Sequence, residues 1–264
     1  MIKLVVTDVD GTLIEDSTPN LYPEIVDVIT KLQEKKIRFC VASGRQYPSL
    51  KNVFRQIPGD IIYIAENGAQ IRYRGKDIAL TAMPGEDVEE IVEQLRRYNN
   101  TCNIIVSTAN GSLVESTNQD FIHLMVCGYH NVIRQVPDVL GTGDEILKVS
   151  IYQKGSIRQL GENTLIPAWE DRVKVCMAGE EWVDFMASSV DKGHALAYVQ
   201  DYFRIRREET MAFGDNNNDI GLLRTAGISY AVDNARPEVK TAATGICPSY
   251  QEKGVWQIVR ELLE

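Results

Sequence analysis

The chain opens on an apolar run, Ile2, Leu4, Val5 and Val6, which Thr7 breaks before Asp8-Val9-Asp10-Gly11-Thr12. A continuous apolar run of this length, closed by glycine, predicts a strand buried on both faces, as in a parallel sheet. After a polar stretch from Glu15 to Asn20, Pro23 to Lys36 places Ile25, Ile29 and Leu32 on one helical face, with Pro23 suited to the first turn. Ile37 to Ala42 and Ile61 to Ala65 repeat the apolar run, and Tyr47 to Ile57 is an expected helix between them. Strand, helix, strand, helix, strand is the rhythm of a parallel sheet with crossover helices.

Beyond residue 69 the rhythm changes. Gln70 to Tyr73 and Ile78 to Ala82 flank an Arg74-Gly75-Lys76-Asp77 turn and predict a hairpin, and Met83-Pro84-Gly85 predicts a hinge. A helix is expected over Asp87 to Tyr98, with Val88, Ile91, Val92 and Leu95 as its buried stripe. Asn103 to Ser107 and Ser112 to Glu115 flank a turn at Asn110-Gly111. Ile146 to Tyr152, Val173 to Met177 and Trp182 to Met186 read as strands, and Ser156 to Leu165 as a weaker helix. From Val190 the first rhythm returns. Ala195, Leu196 and Val199 mark a helix and Thr210 to Phe213 a strand; Ile220 to Ala226 and Pro237 to Ala243 are short helices around a strand at Ile228 to Val232. A last helix carries Val255, Ile258, Val259 and Leu262. The expected architecture is a doubly wound, mostly parallel, Rossmann-like α/β core made of residues 1–83 and 189–264, with an α+β domain inserted at 84–188.

Composition narrows the function. With 264 residues, 44% hydrophobic and 25% charged, the chain has length for one large or two smaller globular domains. A net charge of −9 argues against nucleic acid, which asks for a basic face. No apolar stretch approaches the ~20 residues of a membrane span, and a chain that opens on a core strand is expected to carry no signal peptide. The five cysteines are scattered, with no C-x-x-C pair, so neither a zinc site nor a disulfide frame is expected and the cytoplasm is the default compartment. Nothing in the pattern specifies an oligomeric state.

The chemistry sits where the apolar runs end. Asp8 and Asp10 follow the first strand and Ser43-Gly44-Arg45 the second. Gly214-Asp215-Asn216-Asn217-Asn218-Asp219 follows a later one, and Lys192-Gly193 opens the helix before it. Ligands of open α/β sheets bind outside the carboxyl ends of the strands. Taken singly, Asp8 and Asp10 are turn formers, Asp215 and Asp219 helix-start acids, Ser43 a helix cap and Lys192 a surface lysine. Asn67-Gly68 reads as a turn, and His123, His130 and His194 have no metal spacing. Gathered at one sheet edge, the acids suit a hard cation, and with a hydroxyl and a lysine they form the set that phosphoryl transfer uses.

DVDGTL at Asp8 to Leu13, Ser43-Gly44-Arg45, Lys192-Gly193 and GDNNND at Gly214 to Asp219 resemble the four signature motifs of the haloacid dehalogenase-like phosphohydrolases. ENGA at Glu66 to Ala69 and Ala231-Val232-Asp233-Asn234-Ala235 resemble further signatures of the Cof-type branch, in which an α/β cap is inserted where the rhythm changes here. The resemblance implies Asp8 as nucleophile, through an aspartyl-phosphate, and Asp10 as general acid and then base. It implies Mg²⁺ on the Asp8 carboxylate, the Asp10 carbonyl and the Asp215 carboxylate. Ser43 and Lys192 would hold phosphoryl oxygens, helped by backbone N–H groups around Gly11 and Thr12. Asp219 would support the metal's waters or Lys192, and Asn218 and Asn234 would line the phosphate site. Gly44 belongs to that site, with Arg45, whose guanidinium suits phosphate or carboxylate. The implied substrate is a small phosphorylated metabolite, sugar phosphates first. Three alternatives stay open on the residues: a phosphotransferase or sugar-phosphate mutase, a phosphorylated signalling switch, and a binding protein without turnover.

Overall fold

A computed structural model describes residues 1–15 and 20–264, so positions 16–19 of the polar stretch lie outside the described residues. By contacts the chain divides into two units, one of Met1–Arg45, Leu50–Ala79 and Asp191–Glu264, the other of Gln46–Ser49 and Leu80–Val190.

The first unit begins with β1 (Leu4–Thr7), α1 (Pro23–Glu34), β2 (Arg38–Ala42), α2 (Tyr47–Val53), β3 (Ile61–Ala65), β4 (Gln70–Tyr73) and β5 (Lys76–Leu80). The second unit, which also takes in the first turn of α2, holds α3 (Gly85–Arg96), β6 (Asn103–Thr108), β7 (Gly111–Val114), α4 (Gln119–His123), β8 (Ile133–Gln135) and β9 (Ile146–Tyr152). It continues through α5 (Arg158–Leu160), α6 (Ile166–Trp169), β10 (Lys174–Met177) and β11 (Trp182–Met186). The chain then completes the first unit with α7 (Lys192–Phe203), β12 (Thr210–Gly214), α8 (Ile220–Thr225), β13 (Ile228–Val232), α9 (Pro237–Ala242), β14 (Gly245–Cys247) and α10 (Gly254–Leu263).

The sheet of the first unit runs β14-β13-β12-β1-β2-β3-β4-β5. It is parallel from β14 to β3, and β4 pairs antiparallel with β3. Every residue of β1 and β12 is buried, as the unbroken apolar runs predict for strands covered on both faces. Register, more than strand order, places the chemistry. Thr7 pairs with Phe213 on one side and Val41 on the other, so Asp8, Asp215 and Ser43 leave the sheet within two residues of the same level. The second unit is a six-stranded sheet, β10-β11-β9-β6-β7-β8, antiparallel except for the β7–β8 pair. The buried Val88, Ile91, Val92 and Leu95 of α3 supply the stripe expected of it, and α3 packs on β9 and β6. Phe121 and Met125 pack with Ile105, Val114 and Tyr152 in a separate cluster of that unit.

Several elements depart from expectation. The hairpin's second strand is Lys76–Leu80, two residues earlier than Ile78 to Ala82, because Arg74 (φ 51°) and Gly75 (φ 75°) make the whole turn. Helix α2 stops at Val53 instead of Ile57, leaving Phe54 and Ile57 to pack as buried side chains beyond the helix. The helix expected over Ser156 to Leu165 is displaced and broken into α5, a π turn at Gly161–Leu165 and α6. Strands β8 and β14, three residues each, are too short to carry a periodic signal. Among the described residues no helix is long and apolar enough to cross a membrane.

Candidate active site

Asp8 stands one residue past β1, 6% exposed, its N–H donating to the Phe213 carbonyl at 3.0 Å. The loop after it is tight. Gly11, at φ 76°, donates its N–H to the Ile14 carbonyl (2.8 Å), and its own carbonyl accepts from Asn234 Nδ2 (2.7 Å). The fully buried Thr12 turns its hydroxyl to Asp215 Oδ1 at 2.8 Å. Gly11, Thr12 and Asn234 thus brace the loop after Asp8 and the second acidic strand end.

Lys192, only 1% exposed, donates Nζ to Asp8 Oδ1 and to Asp219 Oδ1, each at 2.6 Å. The second oxygen of Asp219 accepts the N–H groups of Asp215 and Asn216, both at 3.1 Å. Asp219 therefore orients Lys192 and closes the loop that presents Asp215. Oxygens of Asp8, Asp215 and Asp219 lie within 4.8 Å of one another, and this group leaves out the Asp10 carboxylate. Three acids against one buried lysine leave negative charge without full compensation. Burial first, and then the Asp219 carboxylate, hold the Asp8 carboxyl well above its usual range; Lys192 pulls it back and Asp215 adds to the rise. Burial alone would lower the Lys192 ammonium, but Asp219 and Asp8 outweigh it and leave its pKa above the ordinary lysine value. An all-oxygen cluster with surplus negative charge fits a hard divalent cation.

The second strand end is held as firmly. Ser43, 2% exposed, donates its N–H to the Ile64 carbonyl (2.9 Å), and its hydroxyl oxygen accepts from the Arg45 N–H (3.1 Å). That leaves the hydroxyl hydrogen free to be donated to an anion. The Arg45 guanidinium lies on a carboxylate of the chain itself: Nε donates to Asp10 Oδ2 at 2.7 Å and Nη2 to Oδ1.

Asn67 reads from the sequence as a turn residue with no part in the site. It is a turn residue, at φ 56°, but its Oδ1 accepts from Asn218 Nδ2 (3.0 Å) and its N–H donates to the Ser43 carbonyl (2.9 Å). It ties the Ser43 loop to the Asp215 loop. Gly44 is packed against it, since a Cβ there would sit 3.2 Å from Asn67 Oδ1. The sequence motifs give Asp191 no role either; its Oδ1 caps α7 by accepting from Gly193 and His194, at 2.6 and 2.9 Å, and so fixes the turn that carries Lys192. An acid directly before a helix start is a readable signal for that role.

An α/β core with its acids, buried lysine and hydroxyl at the carboxyl ends of parallel strands defines an enzyme built for a cation and an anionic substrate. Residues 5–259 match the haloacid dehalogenase-like hydrolases, and the chain belongs to that family. It is 27% identical over 263 residues to the 5-amino-6-(5-phospho-D-ribitylamino)uracil phosphatase YbjI of Escherichia coli, covering 100% of this chain and 97% of that protein. The phosphoglycolate phosphatase of Metallosphaera sedula is 27% identical over 265 residues, with 100% of both chains covered. Among solved structures, a protein of Eubacterium rectale is 34% identical, with 99% of each chain covered and a TM-score of 0.89.

Proposed function

We propose that this protein is a Mg²⁺-dependent phosphatase that hydrolyses small phosphomonoesters through an aspartyl-phosphate on Asp8. The observation that carries the proposal is the buried Asp8–Lys192–Asp219 array with Asp215 beside it. Asp8 and Asp215 would hold the cation, with the Asp10 carbonyl as a third ligand. The cation supplies charge neutralisation for the phosphoryl group and for the acids around it.

The chain's own groups do the rest. An Asp8 carboxylate oxygen attacks phosphorus, the bond from phosphorus to the ester oxygen breaks, and the leaving oxygen takes the Asp10 proton. Asp10, now a carboxylate, takes a proton from the water that attacks the same phosphorus. The bond to Asp8 breaks, phosphate leaves, and both acids return to their starting forms. Lys192 and the Ser43 hydroxyl hold phosphoryl oxygens, with Asn218 at the rim.

Residues 84–188 form the cap that reads the rest of the substrate, and residues 1–83 and 189–264 the catalytic core. The named phosphatase relatives act on a ribitylamino-uracil phosphate and on phosphoglycolate, which supports a small phosphorylated metabolite. Five free cysteines support a reducing compartment, the cytoplasm. Phosphate release from a panel of phosphorylated metabolites, with Mg²⁺ and with a chelator, tests the proposal. Chelation is expected to abolish release, and Asp8→Asn to lower it by about 1,000-fold or more. Turnover that survives Asp8→Asn overturns the nucleophile.

A further inference from the structure

Arg45 is a strongly held cation for which the hydrolysis scheme above has no task. Its backbone is pinned on both sides, the N–H on Ser43 Oγ (3.1 Å) and the carbonyl under the Glu66 N–H (3.0 Å). Glu66 (φ 49°) and Asn67 (φ 56°) follow in the left-handed region, a costly conformation for two non-glycine residues and one that persists where the surroundings over-determine it. The side chain is 11% exposed and meets Asp10, 28% exposed, with the planar Nε–Nη2 edge on both carboxylate oxygens. A bidentate fork fixes the plane of a carboxylate, which a single ammonium cannot do. The Nε–Nη2 edge is taken up by Asp10, so a phosphoryl group could meet only the Nη1 side of the same guanidinium.

We propose that Arg45 is the positioning residue for Asp10: it aims the acid–base carboxyl at the leaving oxygen and at the attacking water, and is not a phosphate ligand. This role rests on the phosphatase reading. A general acid must sit within about 2.6–3.2 Å of the oxygen it protonates, and an aspartate free to rotate about its two side-chain torsions spends most of its time elsewhere. When Asp10 carries the proton, its carbonyl oxygen keeps one contact to Arg45 and its O–H faces the leaving group. Once the proton has gone to the leaving oxygen, both contacts re-form. The proton that returns from water opens one of them again.

The test compares p-nitrophenyl phosphate, whose leaving group departs without a proton, with glycerol 2-phosphate, whose alkoxide needs one. The kcat/KM of the Mg²⁺-loaded enzyme reports steps up to departure of the leaving group. Arg45→Gln is expected to cut kcat/KM at least about 10-fold more for glycerol 2-phosphate than for the aryl ester. Arg45→Lys, which keeps charge and approximate length, is expected to show the same selective loss, and it covers the case in which Arg45→Gln does not fold. In an Asp10→Asn background, adding Arg45→Gln is expected to change kcat/KM by less than about threefold. Equal losses on both substrates, rescue by lysine, or a further loss in the double variant with weaker inhibition by inorganic phosphate would each overturn the role and make Arg45 a phosphate ligand. Wild-type cleavage of both esters, lost in Asp8→Asn, secures the reaction itself, so those outcomes bear on Arg45 alone. A wild type inert toward both esters and toward every metabolite of the panel overturns the phosphatase reading and this role with it.

Discussion

Asp8 is buried where the charged form of a carboxyl is disfavoured. Its folded pKa lies above the ordinary carboxyl value of 3.8, so the folded chain binds that proton more tightly than the unfolded chain does. The ionised form therefore costs stability. The cost is absent below 3.8, grows as pH rises toward the folded pKa, and is complete above it. Asp8→Asn removes the cost, because its Oδ1 still accepts from Lys192. The metal-free variant is expected to melt no lower than the metal-free wild type at about pH 7.5, with any advantage shrinking on acidification. Added Mg²⁺ should then raise the wild type more than the variant. A variant that melts well below wild type without metal would show that the Lys192 contact outweighs the burial of the charge. Lys192 is the opposite case: Lys192→Met leaves Asp8 and Asp219 buried without their ammonium and is expected to cost about 3–5 kcal/mol in urea unfolding as well as activity. The acids and the lysine were legible as residue types in short motifs. Their pairing was not, because Lys192 and Asp8 stand 184 positions apart.

At the scale of elements, the short turn after β3 connects several parts of the site. Gly68 has φ 110°, and a Cβ there would lie 2.6 Å from the Asp191 carbonyl oxygen. Gly68→Ala is therefore expected to destabilise the protein by about 2 kcal/mol or more, read as a shift in the urea midpoint. It should also lower turnover, because Asp191 caps the helix that carries Lys192. Strands bounded by clear punctuation were legible to the residue: Ile61–Ala65, Ile146–Tyr152, Trp182–Met186 and Ile228–Val232. Elements whose limits depend on an unusual backbone conformation were not. The second hairpin strand depends on a left-handed Arg74, an uncommon conformation that arginine does not signal. Asn67 shows a further limit within the site. Asn-Gly announces a turn, but the bond from Asn218 to its side chain crosses between loops 151 residues apart.

For the whole molecule, the net charge of −9 and the acid cluster act in the same direction: a cation that binds the folded chain relieves repulsion that the unfolded chain spreads out. Mg²⁺ with inorganic phosphate is expected to raise the melting temperature by several degrees, since a ligand at 100 times its Kd adds about 2.7 kcal/mol. Asp215→Asn should lose most of that shift in a thermal melt. An unchanged shift in Asp215→Asn would remove it from the cation site. The sequence by itself determined the α/β class, the order of the buried strands and the residue types at their ends, because apolar runs and glycine-bounded motifs are local and contiguous. Only the tertiary structure decided which of those residues meet. The Thr7–Phe213 and Thr7–Val41 pairings bring Asp8, Asp215 and Ser43 level, and the long-range contacts put Lys192 between two acids and Arg45 on Asp10. Strand register and side-chain packing are long-range choices, set by the burial of whole faces at once, and no stretch of the chain encodes them alone.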